Sequence, residues 1–477
     1  MDHKIVTQAV QNALETVQKR NAALEARFAD KLKVNYQLNR QLVSFQANKN
    51  KPAYRWFRYK ESFSEALVQH LLDVLDLESG RVLDPFAGVG TTLFAASKRG
   101  LDATGIELLP VGCEVMEVRQ QAQNGDVAAL RQVLERWRRE RPWKQMQSAK
   151  PFAHLHITRQ AFPEETQQEL EKYLAALELE TESAARLLRF AAMCVLEDIS
   201  YTRKDGQYLR WDHRSGRRQG NKPFHKGRIA SFDEAITHKL DEIYADLQPS
   251  RLLPGFFDNL GQQGSIEILR GSCLDLLPSL ETASFDGLIT SPPYANRYDY
   301  TRTYALELAF LGVGEEEIRA LRQAMVSCTV ENRAKTGLAS SFSPEVLARA
   351  SAAFTNQQAL QTILNYLEWQ KETKTLNNAG IPRMVSNYFY ELALVIFECA
   401  RVLKPGAAFV MVNDNVRYGG ATIPVDLILS DFAEQAGFSV EVIWVLPTGK
   451  GNSSQQMGAH GREELRKCIY IWRRRND

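Results

Sequence analysis

The run Arg81-Val82-Leu83-Asp84-Pro85-Phe86-Ala87-Gly88-Val89-Gly90-Thr91-Thr92 constrains the fold more than any other stretch of the chain. An apolar strand, a glycine-rich turn and an alanine-rich helix (Leu93 to Ser97) follow one another directly, which is the opening of an α/β unit. Gly88 and Gly90 permit backbone angles and close approach that a Cβ would forbid, and the helix starting near Thr91 turns free amides toward a bound anionic group. A dinucleotide fingerprint would need a small residue where Leu93 stands, and a Walker loop would need Gly-Lys-Ser/Thr. Downstream, Glu107 closes Ala103-Thr104-Gly105-Ile106 at the tip of the next strand, where a carboxylate can accept both hydroxyls of a ribose. Loop and carboxylate together describe a nucleoside site.

Much further along, the apolar run Gly287-Leu288-Ile289-Thr290 ends at Ser291-Pro292-Pro293-Tyr294. Two prolines cannot donate to a ladder, so the strand stops there and their carbonyls remain available as acceptors. A hydroxyl, bare carbonyls and an aromatic face on a rigid turn suit a flat heterocycle bearing an exocyclic amino group.

Asp-Pro-Phe-x-Gly-x-Gly-Thr-Thr, the acidic tip at Glu107 and Ser-Pro-Pro-Tyr occur in one chain. With these motifs it resembles the S-adenosylmethionine-dependent amino methyltransferases of DNA, which modify cytosine N4 or adenine N6. The resemblance implies a class I methyltransferase fold and assigns Asp84, Phe86, Gly88, Gly90 and Thr91 to the methionine end of the cofactor, with Glu107 on the ribose. Lys60 and Phe63, in Tyr59-Lys60-Glu61-Ser62-Phe63-Ser64, match the segment that closes over the methionine moiety. Where the family often has Gly-Asp at the third strand, this chain has Gly271-Ser272-Cys273-Leu274-Asp275, which leaves Ser272 or Asp275 for the adenine amino group. Ser291, Pro292, Pro293 and Tyr294 carry over as the catalytic tetrapeptide.

The chain has 477 residues and a net charge of +2, so contact with nucleic acid must be local. Tyr201 to Arg228 supplies nine basic residues against two acidic ones, interleaved with Tyr208, Trp211 and Phe224. Arg203, Lys204, Arg210, Arg214, Arg217 and Arg218 from this segment, Arg297 after the tetrapeptide, and Lys450 in the polar loop Thr448 to Gln456 are the expected DNA contacts. A second basic cluster, Arg136, Arg138, Arg139, Arg141 and Lys144 with Trp137 and Trp143, either lines the same groove or decorates a helix end. The six cysteines include no C-x-x-C pair and no Pro-Cys, which argues against zinc, disulfides and carbon methylation. His154 and His156 have no acidic or Cys neighbour in sequence, so no metal is expected. A polar N-terminus and the lack of a long apolar run fit a cytoplasmic enzyme.

The expected organisation is a helical extension over 1–52, cofactor motifs in 53–112, a helical and basic insertion over 113–262 as candidate target-recognition subdomain, and a second catalytic part over 263–477. The second part includes a helical excursion at about 303–375 and a closing antiparallel strand pair. Strands alternating with helices give an α/β doubly wound sheet with a large, mainly helical insertion. Ser at the first position of the tetrapeptide resembles the cytosine-N4 enzymes, whereas adenine-N6 enzymes more often carry Asp. RNA guanine-N2 methylation and a non-catalytic nucleic-acid-binding protein remain as alternatives. The implied partners are double-stranded DNA and, in a restriction–modification setting, a cognate restriction endonuclease.

Overall fold

The computed structural model describes residues 3–205, 208–218, 222–248, 263–447 and 464–476. Among these, the central sheet has eight strands: β1 (Leu32–Val34), β2 (Arg81–Asp84), β3 (Asp102–Glu107), β4 (Ile266–Arg270), β5 (Phe285–Thr290), β6 (Leu403–Asp414), β7 (Phe438–Val445) and β8 (Lys467–Arg474). Their order is β1-β7-β8-β6-β5-β2-β3-β4, with β8 antiparallel to both neighbours and every other pairing parallel. Strands β2, β3 and β5 are buried almost throughout, because helices cover both faces of the parallel part. The class I methyltransferase sheet follows from this order, with the expected antiparallel pair formed by β7 and β8. Parallel strands share one carboxyl rim, so Asp84, Glu107, Ser291 and Asp414 end on the same edge.

Three boundaries differ from the sequence reading. The helix His3–Arg27 lies along Gln358–Glu372, with Val17, Leu24 and the following Phe28 buried, and Arg27 pairs with Asp431 and Glu434. It leads into β1, which joins β7 in parallel, so the sheet takes in chain well before the start expected near Ala53. Cys113 was expected to open the insertion, yet it lies in Pro110–Asn124, the crossover helix packed on β3 and β4. Finally, Lys404-Pro405-Gly406, expected to turn the chain into the strand Ala408 to Val412, falls inside the bounds of β6, but the register with β5 jumps there from Leu403 to Ala408 and Gly406 is left-handed at φ 77°.

The insertion proper comprises helices Val127–Glu140, Glu164–Leu177, Glu182–Ile199 and Phe232–Asp246 and the hairpin Thr202–Asp205 with Tyr208–Trp211. Its Leu134, Trp137, Tyr173, Phe190 and Leu240 share one hydrophobic core with Leu67, Leu71, Leu93 and Val115. The insertion is therefore continuous with the sheet domain and is held at a fixed position beside the rim. Among the described residues, no helix is long and apolar enough to cross a membrane.

Candidate active site

The cofactor motifs and the tetrapeptide line one cavity of about 700 Å³ at the carboxyl rim. In the loop that lines it, Gly90 stands behind the lining residues Gly88, Val89 and Thr91 and caps the helix Thr91–Ser97 at φ 76°, and a Cβ there would lie 2.7 Å from Met116 Cγ. A left-handed angle and a closed-off Cβ position together make glycine obligatory at this point. The loop is tied to β3 by backbone and carboxylate: Ala87 N–H donates to Ile106 O at 2.9 Å, and Gly88 N–H donates to Glu107 Oε2 at 2.7 Å. Glu107 Oε1 accepts from Leu109 N–H at 2.6 Å. Burial of this carboxyl outweighs those amides and pushes its pKa up to about 7.

Asp84 joins the cofactor loop to the tetrapeptide. Its Oδ1 accepts from Thr290 Oγ1 at 2.6 Å and from Phe86 N–H at 3.1 Å, so the ends of β2 and β5 are fixed to each other through one carboxylate. Burial pushes the Asp84 pKa up to about 6. Thr92 reinforces the junction by donating to Ile289 O at 3.2 Å. Thr290→Val removes the shortest of these bonds and leaves a buried acceptor wanting. It is expected to lower the unfolding free energy by about 1–3 kcal/mol, read from urea denaturation, and a change under a few tenths would refute the junction.

Lys60 to Phe63 form one wall of the cavity. The Lys60 ammonium donates to Lys204 O at 2.7 Å, and burial lowers its pKa. Glu61 accepts the hydroxyls of both Tyr298 and Tyr304, and Tyr59 stacks on Tyr304 with ring centroids 5.0 Å apart. Glu61 was expected only as part of the segment closing over the methionine moiety, and its tyrosine partners lie far away in the chain. Ser272, expected near the adenine amino group, lines the cavity, but its hydroxyl donates to Ala324 O at 2.7 Å. Asp275, the other candidate for the adenine amino group, is exposed and does not line the cavity. Met325 and Val326, from the helical excursion, line the cavity with Ser272 and Cys273.

In the tetrapeptide, Ser291 Oγ donates to Tyr294 OH at 3.2 Å, and burial holds the phenol far above its ordinary pKa, hence neutral. Tyr418 OH donates to Ala295 O at 2.6 Å and anchors the turn. Pro292 and Pro293 line the cavity, as do Asn296, Tyr298 and Tyr300, while Arg297 lies outside the lining in left-handed backbone at φ 64°. Asp414 and Lys467, paired at 3.0 Å, close the far side.

Much of the basic segment serves the fold instead of facing outward. Lys204, expected on DNA, is buried against Glu307 and Glu197. Arg214 chelates Asp212 at 2.7 Å and donates to Gly227 O at 2.6 Å. Arg217 lies 3.6 Å over the Trp211 ring and donates to Arg159 O at 2.8 Å. Arg203, Arg210 and Arg218 are exposed, and Lys450 falls outside the described residues with its loop. In the second cluster, Arg136 pairs with Glu180, Arg138 with Asp241, and Arg141 and Lys144 with Asp233, while Trp137 and Trp143 are buried. His154 packs with its ring nitrogens at 3.3 Å from Thr158 Oγ1 and 3.2 Å from Gln167 Oε1. No metal-holding group occurs among the described residues.

Comparison with known proteins decides the family. The chain is 52% identical over 464 residues to the Type II methyltransferases M.AvaI of Nostoc sp. and of Anabaena variabilis, covering 97% of this chain and 94% of theirs. It is 40% identical over 466 residues to the Type II methyltransferase M.BsoBI of Geobacillus stearothermophilus, covering 91% and 88%. A family model of the N6/N4 methyltransferases, described as DNA methylase, matches residues 3–117. The chain is a Type II DNA methyltransferase of the N4/N6 amino-methylating family.

Methyltransferases of this family take S-adenosylmethionine as methyl donor. The cavity fits that cofactor on its own chemistry. Thr91 Oγ1 is buried at the loop with no hydrogen-bond partner among the described residues, and it lines the same cavity as Glu107. Both polar groups therefore have bonding capacity that a nucleoside carrying an amino acid would satisfy.

Proposed function

We propose that this methyltransferase modifies the N4 amino group of cytosine in duplex DNA. The observation that carries the reading is the shared cavity in which Ser291 to Tyr294 stand beside the Asp84–Gly90 loop and Glu107. Ser at the head of the tetrapeptide supports cytosine through its likeness to the N4 enzymes.

An aryl amine is a poor nucleophile because its lone pair is delocalised into the ring. Ser291 Oγ spends its own proton on Tyr294, which leaves oxygen lone pairs for one amino hydrogen, and the Pro292 carbonyl takes the other. Two acceptors placed in this way draw the nitrogen toward tetrahedral geometry and stabilise the positive charge that develops on it. Tyr294 offers its ring as the stacking face. S-adenosylmethionine, when bound, would supply a methyl group from a sulfonium whose sulfur leaves as a neutral thioether with the electron pair of the broken bond, and the methylated amine then gives up one of its hydrogens as a proton through its hydrogen-bond acceptors to water. The residues from Lys60 to Phe63 exclude water from the donor side, and the tetrapeptide fixes the acceptor, so positioning supplies most of the rate. Because a duplex hides the amine, the cytosine must leave the stack to reach the cavity. A restriction endonuclease sharing the target sequence is the companion such an enzyme protects against.

Nucleoside mass spectrometry of DNA methylated by the purified enzyme tests the choice of base. N4-methylcytosine is expected, and N6-methyladenine as sole product would overturn it.

A further inference from the structure

The hairpin Thr202–Asp205 with Tyr208–Trp211 has an inner face packed against residues of the cavity and an outer face whose two arginines, Arg203 and Arg210, do not line it. Burial alternates along its first strand: Thr202 and Lys204 point inward, and Arg203 and Asp205 outward. The inner face is firmly fixed. The Lys204 ammonium contacts Glu307 and Glu197 and lies 5.3 and 4.5 Å above the rings of Phe57 and Tyr304. Its carbonyl accepts from Lys60, a cavity residue, and Tyr208–Trp211 packs on the helix Tyr300–Thr303, which brings Tyr300 to the same cavity. Asp205 itself reaches the cavity lining. The hairpin is thus a rigid lip at the mouth.

On the outer face, Arg203 stands directly across the ladder from Arg210, and both are exposed. Like charges opposed on one face of a hairpin repel and destabilise it. Asp205, 3.2 Å from Arg210, offsets one of the two. The Arg210 guanidinium is kept in place over the Phe224 ring at 4.3 Å. An anion bound beside two arginines opposed in this way relieves their repulsion, and guanidinium geometry matches phosphate oxygens in particular.

We propose that Arg203 and Arg210 clamp a backbone phosphate of the DNA strand whose base enters the cavity, an inference that rests on the DNA-methylating reading above. The anchored Lys204 keeps the clamp at a fixed offset from Ser291. Asp205, on the lip between clamp and cavity, repels phosphate from the mouth, so the neutral base enters and the backbone stays outside. Arg214 and Arg217, engaged with Asp212 and with backbone carbonyls, take no part in it.

The test is the double variant Arg203→Ala/Arg210→Ala, assayed with fragmented unmethylated genomic DNA across a salt series. Losing one phosphate contact flattens the slope of log K against log salt by about 0.9 and is expected to raise the KM for DNA about 10-fold at physiological salt. At saturating DNA, kcat is expected to stay within about twofold of wild type, with cofactor affinity unchanged. Lys371→Ala, an exposed lysine paired with Glu368 on the helix Gln358–Glu372, is the control and should leave the slope as it is. A double variant with wild-type slope and KM overturns the clamp, as does one that loses cofactor affinity or kcat while its KM for DNA holds. Wild-type protein that neither binds nor methylates DNA sinks the underlying reading and the clamp with it, which separates the two failures.

Discussion

Replacing Ser291 with alanine is expected to lower kcat for methyl transfer by about 10²–10³-fold, the usual loss when one preorganised hydrogen-bonding group is removed from developing charge. Affinity for S-adenosylmethionine should not move, because Ser291 belongs to β5's rim turn and the loop proposed to hold the cofactor is organised by Asp84 and Glu107. The hydroxyl's protein partner is the Tyr294 phenol at 3.2 Å, so the substitution costs the turn little structure. Tyr294→Phe serves as the companion variant. It keeps the stacking ring and deletes only the acceptor of the Ser291 proton, and should retain most of the activity. Tyr294→Ala removes the ring and should raise the KM for DNA. Single-turnover transfer of labelled methyl, alongside calorimetric titration of the cofactor, reads these effects apart. Equal losses of kcat and cofactor affinity in Ser291→Ala would mean that the residue supports the fold of the cavity instead of gripping the amine.

The parts of this site that could be read in one dimension are those in which local chemistry carries the signal. Strand, glycine turn and Glu107 lie within a single β-loop-α-β unit, and Pro-Pro after an apolar run must end a strand wherever it falls. Parts that depend on distant partners could not be read. Lys204 counts as one more cation in a basic run, and its burial depends on Glu307, roughly a hundred residues on. Glu61 gains its meaning from Tyr298 and Tyr304, and the exposure of Asp275 outside the cavity is visible only once the chain is folded. Strand β1 has three residues with one partly buried and two exposed, too short for any alternation to show, and only the exposed edge of β7 makes it a strand. Thr290 was legible in principle. Preceding Ser291 at the end of a buried strand, its hydroxyl needed a buried partner, and Asp84 is the partner on the neighbouring strand.

The second large effect concerns Glu107 and pH. Burial pushes its carboxyl up to about 7 from an ordinary 4.5, so the folded, ligand-free protein holds a proton that the unfolded chain releases between those values. This group's stabilising contribution is therefore fully present below about pH 4.5 and is lost as pH rises through about 7. Cofactor binding has the opposite sign. An ionised carboxylate can accept from both ribose hydroxyls while holding the Gly88 and Leu109 amides, whereas the protonated acid gives up acceptor capacity. The Kd for S-adenosylmethionine is expected to rise by up to about tenfold for each pH unit below 7 and to level off above it. Glu107→Gln cannot ionise, so its Kd should be nearly independent of pH between about 5.5 and 8 and weaker than wild type by about 10²-fold at pH 8, the loss of charge-assisted hydrogen bonds. The variant's thermal midpoint, measured at the same pH values, checks that the loop still folds without the carboxylate. A wild-type Kd that stays flat across this window, in protein that remains folded, would remove Glu107 from the ribose and leave it only the task of tying the glycine loop to β3.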